Sequence, residues 1–177
     1  DIMTTIARIY SAQPDLIGAR IVTAEIDISR GLHSFSIVGL PGKAIEEARD
    51  RVAAAVRHSG FPSPKSKNHK IITSLAPADL RKEGTLFDLA IALSYLVATK
   101  ELDFEPEGKI FLGELALDGR LRPIKGALSV SLFAQKKFSE IILPKSNLEE
   151  ATLAILKKDS EGKEFKVLGV DNLKEAV

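Results

Sequence analysis

The chain contains no cysteine, which excludes thiol catalysis, cysteine-ligated zinc and a disulfide framework, and fits a reducing compartment. It also lacks an excess of either charge. With 25 Lys and Arg against 24 Asp and Glu, the formal net charge is +1, so no overall field draws it to nucleic acid or anionic lipid. Any such binding needs a local patch. There is no apolar run of 18 or more residues and no basic-then-apolar leader, so neither a membrane span nor a signal peptide is expected, and the expected location is cytoplasmic. Internal repeats and low-complexity segments are missing too. What is present is a chain of 177 residues and 19.2 kDa, the size of one domain, able to bury roughly 70% of the surface its extended form exposes. It starts at Asp1 without an initiator Met, as expected of a piece of something longer.

Familiar catalytic signatures are also wanting. A phosphate-binding P-loop needs Gly, four residues, Gly-Lys and then Ser or Thr. The one near match, Gly42-Lys43, has Ile37 where the first Gly belongs and Ala44 where the hydroxyl belongs, so it reads as a strand-to-helix turn. His33, His58 and His69 fall on three separate elements, with no spacing that converges on a metal. No metal site is expected.

The organisation along the chain is mixed. Thr4 to Tyr10 and Arg20 to Ile28 alternate in hydropathy and read as half-buried strands, with Val22, Ala24, Ile26 and Ile28 opposite Ile21, Thr23, Glu25 and Asp27. Leu32 to Leu40 reads as a return strand, so the first forty residues predict an antiparallel meander. Pro41-Gly42 ends that strand, and Ala44, Ile45, Ala48, Val52, Ala55 and Val56 recur at helical spacing on the next stretch, predicting an amphipathic helix to about Ser59. Ile71 to Leu75 reads as a short strand, and Thr85 to about Lys100 as a buried helix, apolar nearly all round. Lys109 to Leu117 is β-like, with a hairpin at Asp118-Gly119 returning through Arg120 to Pro123. Further elements follow: a helix from about Ala127 to Lys137, a strand Glu140 to Leu143, a helix from about Asn147 to Leu156, a strand Phe165 to Leu168 and a terminal helical turn. Hairpins and crossovers in one chain predict an α+β fold, helices layered on a mixed sheet.

The most informative stretch is Ser74 to Gly84, a rigid turn and charged cluster just before the buried helix. Asp79, Arg81, Lys82 and Glu83 crowd there, and their mixed signs suggest mutual neutralisation more than a general acid and base. Asp88, near the helix start, suits a structural role with the macrodipole and backbone amides. Lys65, Lys67, His69 and Lys70 on one loop, together with Arg81, Lys82, Arg120 and Arg122, make a candidate basic surface for phosphates or for acids of a neighbouring subunit. No aromatic residue interleaves the lysines, which weakens single-strand stacking.

Four blocks carry a resemblance. Val38-Gly39-Leu40-Pro41, the run Leu75 to Gly84, Phe87 to Ala92, and Gly113-Glu114-Leu115 with Asp118 to Ile124 together resemble the N-terminal domain of the YifB/ComM family of magnesium-chelatase-like AAA+ proteins. The similarity spans nearly the whole chain in order. It implies a single domain over residues 1–177 with a fold like the Lon proteolytic domain, of the ribosomal S5 domain 2-like kind. It also implies an AAA+ module after this domain, which would bring ATP and magnesium, whereas this piece would hold no cofactor. The implied partners are that module, neighbouring subunits of a homo-oligomeric ring, and DNA in branch migration during natural transformation; a membrane is not among them.

Lon-type proteolysis uses a serine at the start of the central helix and a lysine further on. In this chain those positions align with Leu86 and Leu128, and a leucine neither attacks a carbonyl nor accepts a proton. No catalytic residue is therefore expected. A shifted alignment would put Thr85 and Lys125 in those roles, so an active peptidase or a peptide-binding domain stays open as the alternative, and so does a structural domain that binds nothing alone.

Overall fold

The computed structural model describes residues 5–155 and 162–177. Thr4 and Leu156, taken above as element ends, lie outside the described residues. Two long strands form the spine, β1 (Thr5–Asp15) and β2 (Gly18–Arg30). A tight turn at Leu16 and Ile17 joins them, and they pair antiparallel from Asp15 opposite Gly18 to Thr5 opposite Ile28. The alternation read from the sequence sets which face is covered: Val22, Ala24, Ile26 and Ile28 are buried, while Thr23, Glu25 and Asp27 are half-buried on the other face. On that second face Arg8 lies opposite Glu25 and donates to its carboxylate.

The third strand corrects the expected meander. β3 (Ser34–Val38) does not pair with β2. It leads into α1 (Lys43–Glu46) and α2 (Ala48–His58), an expected single helix that divides at Glu47. The chain then returns as β4 (His69–Ala76), parallel to β3 and antiparallel to β2. The helical crossover is what lets β3 and β4 run parallel. β4 wins the place beside β2 because its eight residues, with Ile71, Thr73 and Leu75 buried, fill that ladder, whereas the five residues of β3 are at most half-buried.

α3 (Asp88–Ala98) begins three residues later than expected. It lies on β1 and β2, with α2 packed against it, and only Val97 along it escapes full burial. β5 (Lys109–Phe111) and β6 (Glu114–Leu115) divide what read as one strand. β6 pairs with β7 (Leu121–Arg122) as the hairpin that Asp118-Gly119 signals. α4 (Ala127–Ala134), β8 (Glu140–Pro144), α5 (Leu148–Thr152) and β9 (Lys166–Val170) complete the chain before a terminal 3-10 turn at Leu173–Ala176. The main sheet is mixed, seven strands in the order β3-β4-β2-β1-β5-β8-β9, and one hydrophobic core runs through both halves. No helix among the described residues is long and apolar enough to cross a membrane.

Two glycines allow close approaches between elements. Gly39 has φ +103°, and a Cβ there would lie 2.1 Å from the Leu75 carbonyl oxygen, so the loop after β3 presses against β4 as no larger residue allows. Gly126 has φ +84°, and a Cβ there would come within 2.7 Å of Pro14 Cγ. That contact brings the start of α4 against the end of β1.

Candidate functional site

The Ser74 to Gly84 junction is held from inside. Lys82, expected on the surface, is fully buried. Its Nζ donates to the Gly39 carbonyl at 2.6 Å and to the Pro77 carbonyl. Its backbone N–H reaches Leu40 O at 3.0 Å, and its carbonyl takes the Gly42 N–H at 2.8 Å. Burial pushes the ammonium below its ordinary range, and Asp79 opposes that shift. Lys82 is thus a pin between two loops, because a buried cation must find oxygens and only backbone carbonyls are within reach. It cannot meet a phosphate or a neighbouring subunit. This corrects its place in the basic surface.

Beyond the pin lies a cleft of about 460 Å³, walled by Gln13 and Pro14 of β1, Glu83 to Leu86, Glu114, and Pro123 to Lys125. Gln13 steadies one wall, its amide N donating to Arg81 O at 3.0 Å and its amide O accepting from Glu83 N at 2.9 Å. Leu86 is one of the lining residues. Leu128 is not: it sits 37% exposed on α4, its N–H pointing to the Glu150 carboxylate at 3.3 Å. Thr85 and Lys125 do line the same cleft. However, the Thr85 hydroxyl donates to Glu114 Oε2 at 2.8 Å, and no hydrogen bond joins it to Lys125 among the described residues. The hydroxyl's hydrogen bond thus goes to a carboxylate and not to the amine that a threonine–lysine nucleophile requires.

Asp88 is buried at the start of α3. The backbone amides at its own helix start are not its partners, contrary to the expected capping role. Its Oδ2 accepts from Arg51 Nε at 2.7 Å and from Leu115 N at 3.1 Å, and its Oδ1 from Arg51 Nη2 at 3.0 Å. Arg51 also donates to Ala44 O at 2.7 Å. One carboxylate therefore ties α2, α3 and β6 together. Burial pushes its pKa up, and Arg51 and the Leu115 amide pull it back, leaving it at about 6. The same hydrogen bond raises Arg51. Sequence reading missed Gln13, Arg51 and Glu114 as partners here; only Glu114 had a signal, its place in the Gly113-Glu114-Leu115 block.

Comparison with known proteins follows the same blocks. The family model "Subunit ChlI of Mg-chelatase" matches residues 24–147. The chain belongs to the magnesium-chelatase-like YifB/ComM family. It is 41% identical over 150 residues to Competence protein ComM of Haemophilus influenzae, covering 84% of this chain and 29% of that one. It is 44% identical over 133 residues to the uncharacterized protein YifB of Escherichia coli, covering 75% and 26%. An uncharacterized protein of Mycobacterium tuberculosis is 38% identical over 150 residues, covering 84% and 29%. The chain spans under a third of the length of these curated relatives.

Against this family background the remaining basic residues stand apart from one another. Arg81 pairs with Glu83 at 3.1 Å and Arg120 with Asp118 at 2.8 Å, both pairs well exposed. Lys65 and Lys67 approach Asp50 and Glu101 at 4.0 Å. Lys70 on β4 and Arg122 on β7 have no ion pair among the described residues, and Asp79 is exposed on the turn. Exposed pairs of this kind are worth little and open readily. Burial lowers the His69 pKa, with Lys67 and His33 adding to the shift, and no group of three or more His, Cys, Asp or Glu among the described residues could hold a metal.

The Asp88 linkage predicts a pH dependence with a definite sign. Its folded pKa of about 6 lies above the ordinary 3.8, so the native state binds the proton more tightly. The resulting stabilisation is full below about 3.8 and is lost as pH rises through about 6. Denaturant unfolding of wild type and Asp88→Asn across that window should show the wild-type curve falling relative to the variant. Arg51→Ala, which strands the carboxylate, should cost about 3–5 kcal/mol at neutral pH.

Proposed function

We propose that the chain is a non-catalytic domain of a magnesium-chelatase-like AAA+ protein, with a Lon-like, S5 domain 2-like fold. In this reading it helps arrange a homo-oligomeric ring and handles DNA in branch migration during natural transformation. The ATP and magnesium chemistry belongs to an AAA+ module elsewhere in the full-length protein. The observation that carries the non-catalytic part is the cleft: Leu86 stands where a nucleophile would be, and the hydroxyl beside it is bound to Glu114. Support for the family role comes from the 41% identity to a protein named for competence. DNA contact falls to exposed cations, since Lys82 is occupied within the fold: Arg81, Lys65, Lys67, Lys70, Arg120 and Arg122, with Asp79 left for a neighbouring subunit.

An active peptidase is the second reading, favoured by the one fact that Thr85 and Lys125 share a cleft. Incubation with an unfolded protein substrate separates the two: the substrate should stay intact. Cleavage abolished by both Thr85→Ala and Lys125→Ala would replace the first reading with the second. For the DNA role, the affinity measured over a salt series should lose about 0.9 in logarithmic slope for each phosphate contact removed, here by Arg120→Ala and Arg122→Ala. An unchanged slope removes those two residues from the account.

A further inference from the structure

Away from the cleft, the outer face of α2 carries two arginines that have no ion pair among the described residues. Arg49 is held by backbone carbonyls, its Nε donating to Glu46 O at 2.9 Å and its Nη1 to Phe35 O at 3.3 Å. About two turns further on, the Arg57 guanidinium meets the His58 ring at 3.3 Å. Between the two arginines the helix faces the Pro64–Ser66 turn across adjoining pockets of about 140 and 90 Å³, which share Asp50, Ala53 and Lys65. His33 and Arg49 line the first, Arg57 and Ser63 the second. Nδ1 of His33 is buried and has no hydrogen-bond partner among the described residues. The Lys65 ammonium lies 4.0 Å from Asp50, with both side chains well exposed.

Size and charge narrow the occupant. Pockets that enclose a drug-sized ligand run to about 300–1,000 Å³, so each of these takes only a small group. Arg49, Arg57 and Lys65 face them against the single carboxylate of Asp50, whose exposed pair with Lys65 opens readily. The group is therefore an anion, and two pockets sharing one lysine suit successive anions of one chain. An acidic peptide would lay its amides against a helix face; β3, the edge strand beside it, has its Phe35 carbonyl engaged by Arg49. A nucleic-acid backbone has no amides to satisfy, and its phosphates accept from arginine and lysine together. The Phe35 ring packs against the core, so the contact is with the backbone and not with stacked bases. We propose that the groove between α2 and the Pro64–Ser66 turn holds successive backbone phosphates of a nucleic-acid duplex, with Arg49 and Lys65 at one phosphate and Arg57 and Lys65 at the next. This rests on the DNA-handling reading above and adds Arg49 and Arg57 to Lys65.

The test is fluorescence anisotropy of a labelled duplex oligonucleotide with the chain over a salt series. Arg57→Ala and Lys65→Ala should each lower the logarithmic salt slope by about 0.9, and the double variant by about 1.8. Lys65→Arg should keep the wild-type slope. Asp50→Asn should act in the opposite sense and tighten binding about threefold, a gain that general damage to the fold does not produce. All these side chains are exposed, so the thermal midpoint should stay unchanged throughout. A labelled polyglutamate of equal charge should bind more weakly than the duplex, and inorganic phosphate should not displace the duplex at matched ionic strength. Tighter binding of polyglutamate would assign the groove to an acidic protein segment, displacement would assign it to free phosphate, and either overturns the proposal. Duplex binding with an unchanged slope in Arg57→Ala and Lys65→Ala overturns this site while leaving the DNA role standing. Absence of duplex binding by wild type overturns both.

Discussion

The buried carboxylate of Asp88 is the constraint on which the rest of the site depends. It cannot sit at the start of an almost wholly buried helix without compensation, and the fold meets that need from two sides, through the Arg51 guanidinium and the Leu115 amide. Satisfying one charge therefore sets the distance between α2 and α3 and places β6 over them. Glu114, one residue before Leu115, is brought to the cleft by that same placement. The residue that engages the Thr85 hydroxyl thus adjoins, through Leu115, the Arg51–Asp88 ion pair.

A second buried charge does comparable work at the junction. Lys82 binds carbonyls of the Gly39 loop and the Pro77 turn, joining two blocks far apart in the chain. Leu40 beside it holds φ +52°, a left-handed conformation that a leucine adopts only when its surroundings enforce it. Several of the most distinctive residues of this sequence thus maintain architecture. Lys125, which lines the cleft, has no such bond among the described residues.

The strands and the buried helix were legible because their signal is local. Alternation along β2 and the apolar run of α3 each declare a burial pattern that the sheet and core then use. The partner of β3 was not legible, since parallel pairing across a crossover depends on a strand some thirty residues away whose length and burial decide the contest. The hairpin at Asp118-Gly119 was, because turn chemistry fixes it. Among site residues, Leu86 does line the cleft and Leu128 does not, and the burial of Lys82 could not be read from the sequence: charge in a turn argues for exposure, and the Gly39 and Pro77 carbonyls that take it come together only in the fold. Gln13 carried no signal at all, being one polar residue in a strand.

The central proposal is that this cleft does not cut a chain, because its hydroxyl donates to the Glu114 carboxylate and has no hydrogen bond to Lys125 among the described residues. Exposure to a peptidyl boronate, which forms an adduct with an activated hydroxyl, followed by intact-mass measurement, tests this most directly. The account predicts an unmodified mass. An adduct mapped to Thr85 and absent in Lys125→Ala would contradict it.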